Sequence, residues 1–225
     1  MSSEQRRTVV DLSHPVRAGM TTHPGLPGPE ITDHLSRAAA REVYPAGTEF
    51  QIGRISMVAN TGTYVDVPFH RYADGADLAA VPVAALADLP GLTVSATGDR
   101  AVTPAAFAAV EDAIAGRAVL IRTGWDRHWG TDGYGAPDHP YLTAAATAWL
   151  VARRPALVGI DSVNIDDLAD RTRPAHTVLL GAGIPVVEHL TNLAALPERD
   201  FRFTAAPVAV AGMGTFPVRA HAVLP

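Results

Sequence analysis

Three short, unbroken apolar runs limit what this chain can become: Ala118–Thr123 (AVLIRT), Ala156–Ile160 (ALVGI) and Ile184–Val187 (IPVV). Each is strand-length, and continuous apolar character marks strands covered on both faces. Between the first two lies Leu142–Ala152, an Ala-rich stretch that reads as a helix with Thr143 near its start. Between the second and third, Pro174–Leu180 reads as a short helix, with Pro174 in its first turn and Gly183 as its stop. Strand–helix–strand–helix–strand predicts an α/β chain with a mixed β-sheet flanked by helices. Ligands in such sheets gather beyond the carboxyl ends of strands, and Asp161 and Glu188 sit at two of those ends.

The first half reads as strands and loops. Thr8–Leu12 is a strand candidate, and the Pro/Gly-rich stretch from His14 to Pro29 cannot be regular structure. Phe50–Ala59 alternates as a strand, and extended backbone is expected to continue through Val67 to Pro68. Leu78–Leu89 is short, Ala-rich and broken by proline. No repeat and no low-complexity linker interrupts the 225 residues, so one domain spanning 1–225 is expected.

Composition removes whole classes of chemistry. The chain has no Cys, which excludes disulfides, thiolate nucleophiles and Cys-ligated zinc. All 18 basic residues are Arg, which excludes a Schiff-base lysine and a P-loop lysine. A net charge of −5 without a basic run argues against nucleic-acid binding. MSSEQRRTVVDLSHP lacks an apolar stretch of signal-peptide length, and no window has the unbroken apolar length of a membrane span. A cytoplasmic protein with no membrane partner is expected. His, carboxylate, hydroxyl and metal chemistry remain.

Those groups concentrate in Asn60-Thr61-Gly62-Thr63-Tyr64-Val65-Asp66-Val67-Pro68-Phe69-His70. If extended, it places Asn60, Tyr64 and Asp66 on one face, with Gly62 leaving space for a ligand and Pro68 turning His70 back toward Asp66. The segment resembles the signature of the cyclase-like metal hydrolases, the group that includes bacterial kynurenine formamidase and isatin hydrolase. Their pattern is His-x-Gly-Thr-His-x-Asp-x-Pro-x-His. Gly62, Thr63, Asp66, Pro68 and His70 match it, whereas Asn60 and Tyr64 stand where that family has two metal-binding histidines. A second block, RPAHTVLLGAGIPVVEHL, carries His176 and Glu188 at a spacing like that of a metal-binding His and Glu in the formamidases. DLSHPVRAGMTTHPG resembles the family's opening strand and loop, with His23 in place of a substrate-packing tryptophan, and GMGTFPVRA resembles its closing strand.

The resemblance implies a swivelling β/β/α fold, a homodimer or homotetramer, and hydrolysis of an amide or lactam bond in a small, aromatic molecule. In the family, metal activates water and the histidine matching His70 is the acid/base. Asn and Tyr are poor replacements for imidazole ligands, so one metal position should be lost. Asp66, His176 and Glu188 remain as a set suited to one Zn²⁺ or Mn²⁺, because two converging carboxylates need a cation or a shared proton. A second reading is metal-free: Asp66, Glu188 and His70 or His176 move protons, Tyr64 donates to a substrate oxygen and Asn60 orients it, giving a cyclase or dehydratase. A third is a silent relative that only binds a small ligand.

In either enzymatic reading His70, Asp66 and Glu188 are the catalytic candidates, and His23, Asn60, Tyr64 and Trp125 shape the substrate pocket. Trp125, Trp129 and Tyr134 lie in a loop able to wall it. Asp161, Asn164, Asp166 and Asp167 lack the spacing of a calcium loop, though Asp161 is expected near the active centre. His189 is expected on the face opposite Glu188 in a structural role, and Gly212 and Gly214 to permit close backbone packing.

Overall fold

Strand-forming segments run the length of the chain in the computed structural model, which describes residues 7–225. The first six residues of the N-terminal stretch discussed above lie outside the described residues. In chain order the strands are β1 (Thr8–Asp11), β2 (Glu30–Leu35), β3 (Ile52–Ser56), β4 (Tyr64–Asp66), β5 (Leu89–Ser95), β6 (Ala101–Val102), β7 (Ala118–Arg122), β8 (Tyr141–Leu142), β9 (Leu157–Ile160), β10 (Val186–Glu188), β11 (Arg202–Thr204), β12 (Thr215–Pro217) and β13 (His221–Leu224). The helices are α1 (Arg37–Val43), α2 (Ala144–Ala152) and α3 (Pro174–Gly181). Nine strands form one sheet in the order β1-β13-β11-β5-β7-β9-β10-β4-β12. Its middle, β5-β7-β9-β10, is parallel and holds the three apolar runs. Both flanks are antiparallel, so the sheet is mixed and the fold is α/β.

Covering a sheet on both faces requires two cores. Along β7, Val119 and Ile121 face the helices with Leu150 of α2 and Leu179 of α3. Leu120, between them, faces the other way with Val65, Val187 and Phe203. Each fully buried Leu or Ile of this kind stabilises the fold by about 1.5–3 kcal/mol. Helix ends follow the expected signals. Thr143 caps α2 by accepting from the Ala146 amide at 3.1 Å, and Gly183 takes φ +73° just past α3.

Two readings of the first half need correction. The expected extended run from Phe50 to Pro68 breaks into β3 and β4, because Gly62 adopts φ +67° between them. Its missing Cβ would lie 3.2 Å from Val16 Cγ2, so Gly62 accommodates the N-terminal loop rather than a ligand. β5 begins where the Ala-rich stretch was expected to end. Pro90 and Gly91 disguise it as a break, but Pro90 pairs with Arg202, and a Cβ on Gly91 would lie within 2.0 Å of the Phe201 ring. β2 and β3 form a separate two-stranded ribbon joined through α1, and Ile31, Ile52 and Ile55 on it are about half exposed. Among the described residues no helix is long and apolar enough to cross a membrane.

Candidate active site

Strand register builds the floor of the site. Glu188 of β10 lies directly opposite Tyr64 of β4, and Asp66 lies between Val186 of β10 and Thr215 of β12. Side chains opposite one another share a face and those two apart along a strand repeat it. Tyr64, Asp66, Thr215 and Glu188 therefore all project from the helix-covered face. Pro68 ends the strand and starts a single 3₁₀ turn that carries His70. α3 lies over this face and lowers His176 between the carboxylates, its Nε2 3.5 Å from Asp66 Oδ2 and 3.6 Å from Glu188 Oε1.

The carboxylates have unequal partners. Glu188 Oε1 accepts from the Ile165 amide at 2.6 Å, and its Oε2 accepts from the Tyr64 hydroxyl at 2.6 Å. Asp66 Oδ1 accepts from the Thr215 hydroxyl, while Asp66 Oδ2 is buried with no hydrogen-bond partner. An orphaned buried carboxylate oxygen is costly unless a cation or proton meets it. Asp66, His70 and His176 each offer a ligand atom, all within 4.8 Å of one another, so these residues can hold a metal ion. Buried negative charge dominates the surroundings, since Asp166 joins Asp66 and Glu188 around His176. Burial pulls the His176 pKa down, but these carboxylates outweigh it and hold the value well above normal. Burial first, then the charge of Asp66, lifts Glu188 to about 7 against the pull of His176.

Two orienting residues were not foreseen. Asp166 Oδ2 accepts from His176 Nδ1 at 2.6 Å and from the His176 amide at 3.2 Å, and its Oδ1 accepts from the Ala175 amide at 2.6 Å. One carboxylate thus serves as N-terminal cap for α3 and aims His176 Nε2 at Asp66. Thr215 plays the same part for His70. Its hydroxyl proton goes to Asp66, so His70 Nδ1 donates to Thr215 Oγ1 at 2.7 Å and leaves Nε2 with the lone pair. The signal for Asp166 was an acid just beyond a central strand. Thr215 had no local signal, because only the β12–β4 register brings it to Asp66.

A cavity of about 360 Å³ opens over this floor, lined by Tyr64, His70, His176 and Glu188 together with His23 and Asn60. Trp125 is not among its lining residues. Its indole N–H donates to the Tyr134 carbonyl at 2.9 Å inside a cluster with Val163, so it packs beneath the loop. Tyr64 spends its proton on Glu188 and is not free to donate to a substrate. Asn60 precedes the Gly62 turn, so it reaches the cavity by that bend and not by strand alternation. Asp161 accepts from the Thr123 and Gly124 amides at 2.7 and 2.8 Å, tying two strand ends together away from the cavity. His189 does not face away from the site. It takes φ +57°, which swings its ring to Tyr134 Oη (2.8 Å) and Tyr64 Oη (3.3 Å). Gly214 is a true close approach, since a Cβ there would lie 2.0 Å from the His70 amide nitrogen. Gly212 instead supplies a left-handed turn at φ +75° in open space.

Comparison with known proteins finds the same fold elsewhere. The model of the Cyclase family, described as “Putative cyclase”, matches residues 10–167. Isatin hydrolase A from Ralstonia solanacearum is 24% identical and superposes with a TM-score of 0.81 over 97% of this chain and 92% of that one. Isatin hydrolase A from Labrenzia aggregata bound to benzyl benzoate is 24% identical, with a TM-score of 0.80 over 97% and 94%. A potential metal-dependent hydrolase with cyclase activity is also 24% identical, with a TM-score of 0.80 over 98% and 99%.

Proposed function

The chain belongs to the Cyclase family, and from that premise we propose that it hydrolyses an amide or lactam bond in a small molecule, using one divalent ion and a histidine acid/base. The observation that carries the reading is the buried, unpartnered Asp66 Oδ2 beside His176 Nε2. Asp66 and His176 would hold the ion, and Glu188 would complete the set. Glu188 is fully buried and 3.6 Å from His176, whereas the His70 side chain is one-third exposed at the cavity and engaged with Thr215. Zn²⁺ or Mn²⁺ suits one imidazole and two carboxylates. Such an ion supplies Lewis acidity and a water acidic enough to attack at neutral pH. The isatin hydrolases with the same fold support a lactam or related amide as substrate.

The remaining work falls to the protein's own side chains. His70 Nε2 takes the proton of the attacking water as the new C–O bond forms. It returns that proton to the leaving nitrogen as the C–N bond breaks, a role worth about 10²–10⁴ in rate. Thr215 keeps the ring in the tautomer this requires, and Tyr64 holds Glu188 in place. His23 and Asn60 shape the wall against which the substrate lies. The ribbon's exposed Ile31, Ile52 and Ile55 support a homo-oligomer, because a two-stranded ribbon is marginal alone in water.

The reading is tested by following turnover of isatin and of N-formyl aromatic amines with and without EDTA. Activity abolished by chelation and restored by Mn²⁺ or Zn²⁺ is the expected result. Failure of every amide and lactam contradicts the hydrolase. Turnover that survives exhaustive chelation instead favours a metal-independent cyclase or dehydratase, in which the cluster of Asp66, Glu188, His70 and His176 moves the protons.

A further inference from the structure

Two guanidiniums, Arg71 and Arg173, line the same cavity as His70 and Glu188. Neither forms an ion pair among the described residues, although most pairs on this surface engage an arginine. Arg71 Nε donates to Thr177 Oγ1 at 3.3 Å, and its guanidinium carbon lies 5.5 Å from the centre of the Tyr72 ring. Arg173 donates one hydrogen bond, to the Asp167 carbonyl at 3.2 Å. A guanidinium has five N–H donors, so roughly four on each are left for a ligand. Both flank the first turn of α3: Arg173 immediately precedes it, and Thr177, which steadies Arg71, lies one turn on.

Arg173 also carries backbone strain. It sits at φ +51°, ψ +60°, the left-handed region that crowds the Cβ of any residue but glycine. Its side chain makes no cap for α3, a task left to Asp166. Strain of this kind at a cavity wall points to function. The charge pattern is polar from floor to wall, with Asp66 and Glu188 below and two unpaired cations beside them. The two guanidiniums make the wall a cationic surface able to attract an anion, which leaves the His70–Glu188 side of the cavity for the reacting carbonyl.

We propose that Arg71 and Arg173 form a carboxylate subsite, so that the substrate is an amide or lactam bearing a carboxylate a few bonds from the scissile C–N bond. This rests on the hydrolytic reading for the reacting bond, but the subsite stands on its own geometry. Arginine binds carboxylate through paired N–H···O bonds, and a cavity of about 360 Å³ is at the small end of ligand pockets, fitting a single-ring acid.

The test has a binding arm and a turnover arm. Calorimetric titration compares benzoate with its neutral isostere benzamide, on the wild type, Arg71→Gln and Arg173→Gln. The wild type is expected to bind benzoate more tightly than benzamide, and each substitution to weaken benzoate about tenfold to a hundredfold with benzamide unmoved. Arg71 is exposed, and Gln keeps the aliphatic stem of its side chain, so its variant keeps the test decisive if Arg173→Gln destabilises the fold. Benzoate affinity that is undetectable, or indifferent to both substitutions, overturns the proposal; the second result places the anion on the floor. In the turnover arm, 2-formamidobenzoate should exceed formanilide in kcat/KM, and the gap should close in both variants. Arginine-dependent benzoate binding with neither these amides nor isatin hydrolysed leaves the subsite standing and removes the hydrolytic reading.

Discussion

His176 has its orientation before any ligand arrives, because Asp166 holds Nδ1 and both leading amides of α3. Asp166→Asn keeps the shape but weakens the grip on the ring. Affinity for Mn²⁺ or Zn²⁺ should then fall about 10–100-fold in a calorimetric titration, and unchanged affinity would show that Asp166 does not act through His176. His14 makes a different prediction. It stacks on Trp129 with ring centroids 3.9 Å apart, and its Nε2 is buried without a partner. Burial lowers its pKa from 6.5 to about 4, with Asp126 opposing weakly. The unfolded chain therefore takes up this proton at higher pH than the folded one. The contribution of His14 to stability is complete above pH 6.5 and is lost as the pH falls through about 4. His14→Phe preserves the stack and removes the proton site. Its melting temperature should drop less than that of the wild type over this range, and parallel profiles would contradict the assignment.

Among the elements, the crossing of β12 over the turn after β4 fixes His70. Gly214 passes so close to the His70 backbone that a methyl group has no space. Gly214→Ala should cost about 1–3 kcal/mol or more, roughly 2–12 °C in melting temperature for a chain of this size; an unshifted melting curve would mean the strands can part freely. How much of this was readable in the sequence depended on locality. The buried runs of β7, β9 and β10, the cap of α2 and the glycine stop after α3 show in sequence because pattern and neighbours within a few residues decide them. Asp66 and Glu188 end strands and His70 follows one, whereas His176, in the first turn of α3, was singled out by the resemblance of its segment to the family's second block. β5 drew no strand reading, because Pro90 and Gly91 are poor strand formers and only contact with Arg202 and Phe201 makes them a strand. Thr215 depends on the pairing of strands 149 residues apart. His189 was misplaced because a non-glycine residue at positive φ has no dependable sequence mark.

For the whole molecule, the ribbon formed by β2, α1 and β3 presents Ile31, Ile52 and Ile55 half exposed, with Val43 more exposed still. The proposed homo-oligomer would bury this ribbon and predicts a light-scattering mass two or four times 23.6 kDa. Ile55→Asp should shift that mass toward one copy, whereas a monomeric wild type would refute the assembly. The sheet itself matters to function through one feature: β4, β10 and α3 deliver two carboxylates and two imidazoles to one face, with one carboxylate oxygen unpartnered. Elemental analysis of protein purified without chelator reads that feature directly. About one equivalent of zinc or manganese per chain, lost in Asp66→Asn and in His176→Ala, is the expected result. Less than about a tenth of an equivalent of any divalent metal, with none taken up on addition of Mn²⁺ or Zn²⁺, would contradict a metal centre between Asp66 and His176.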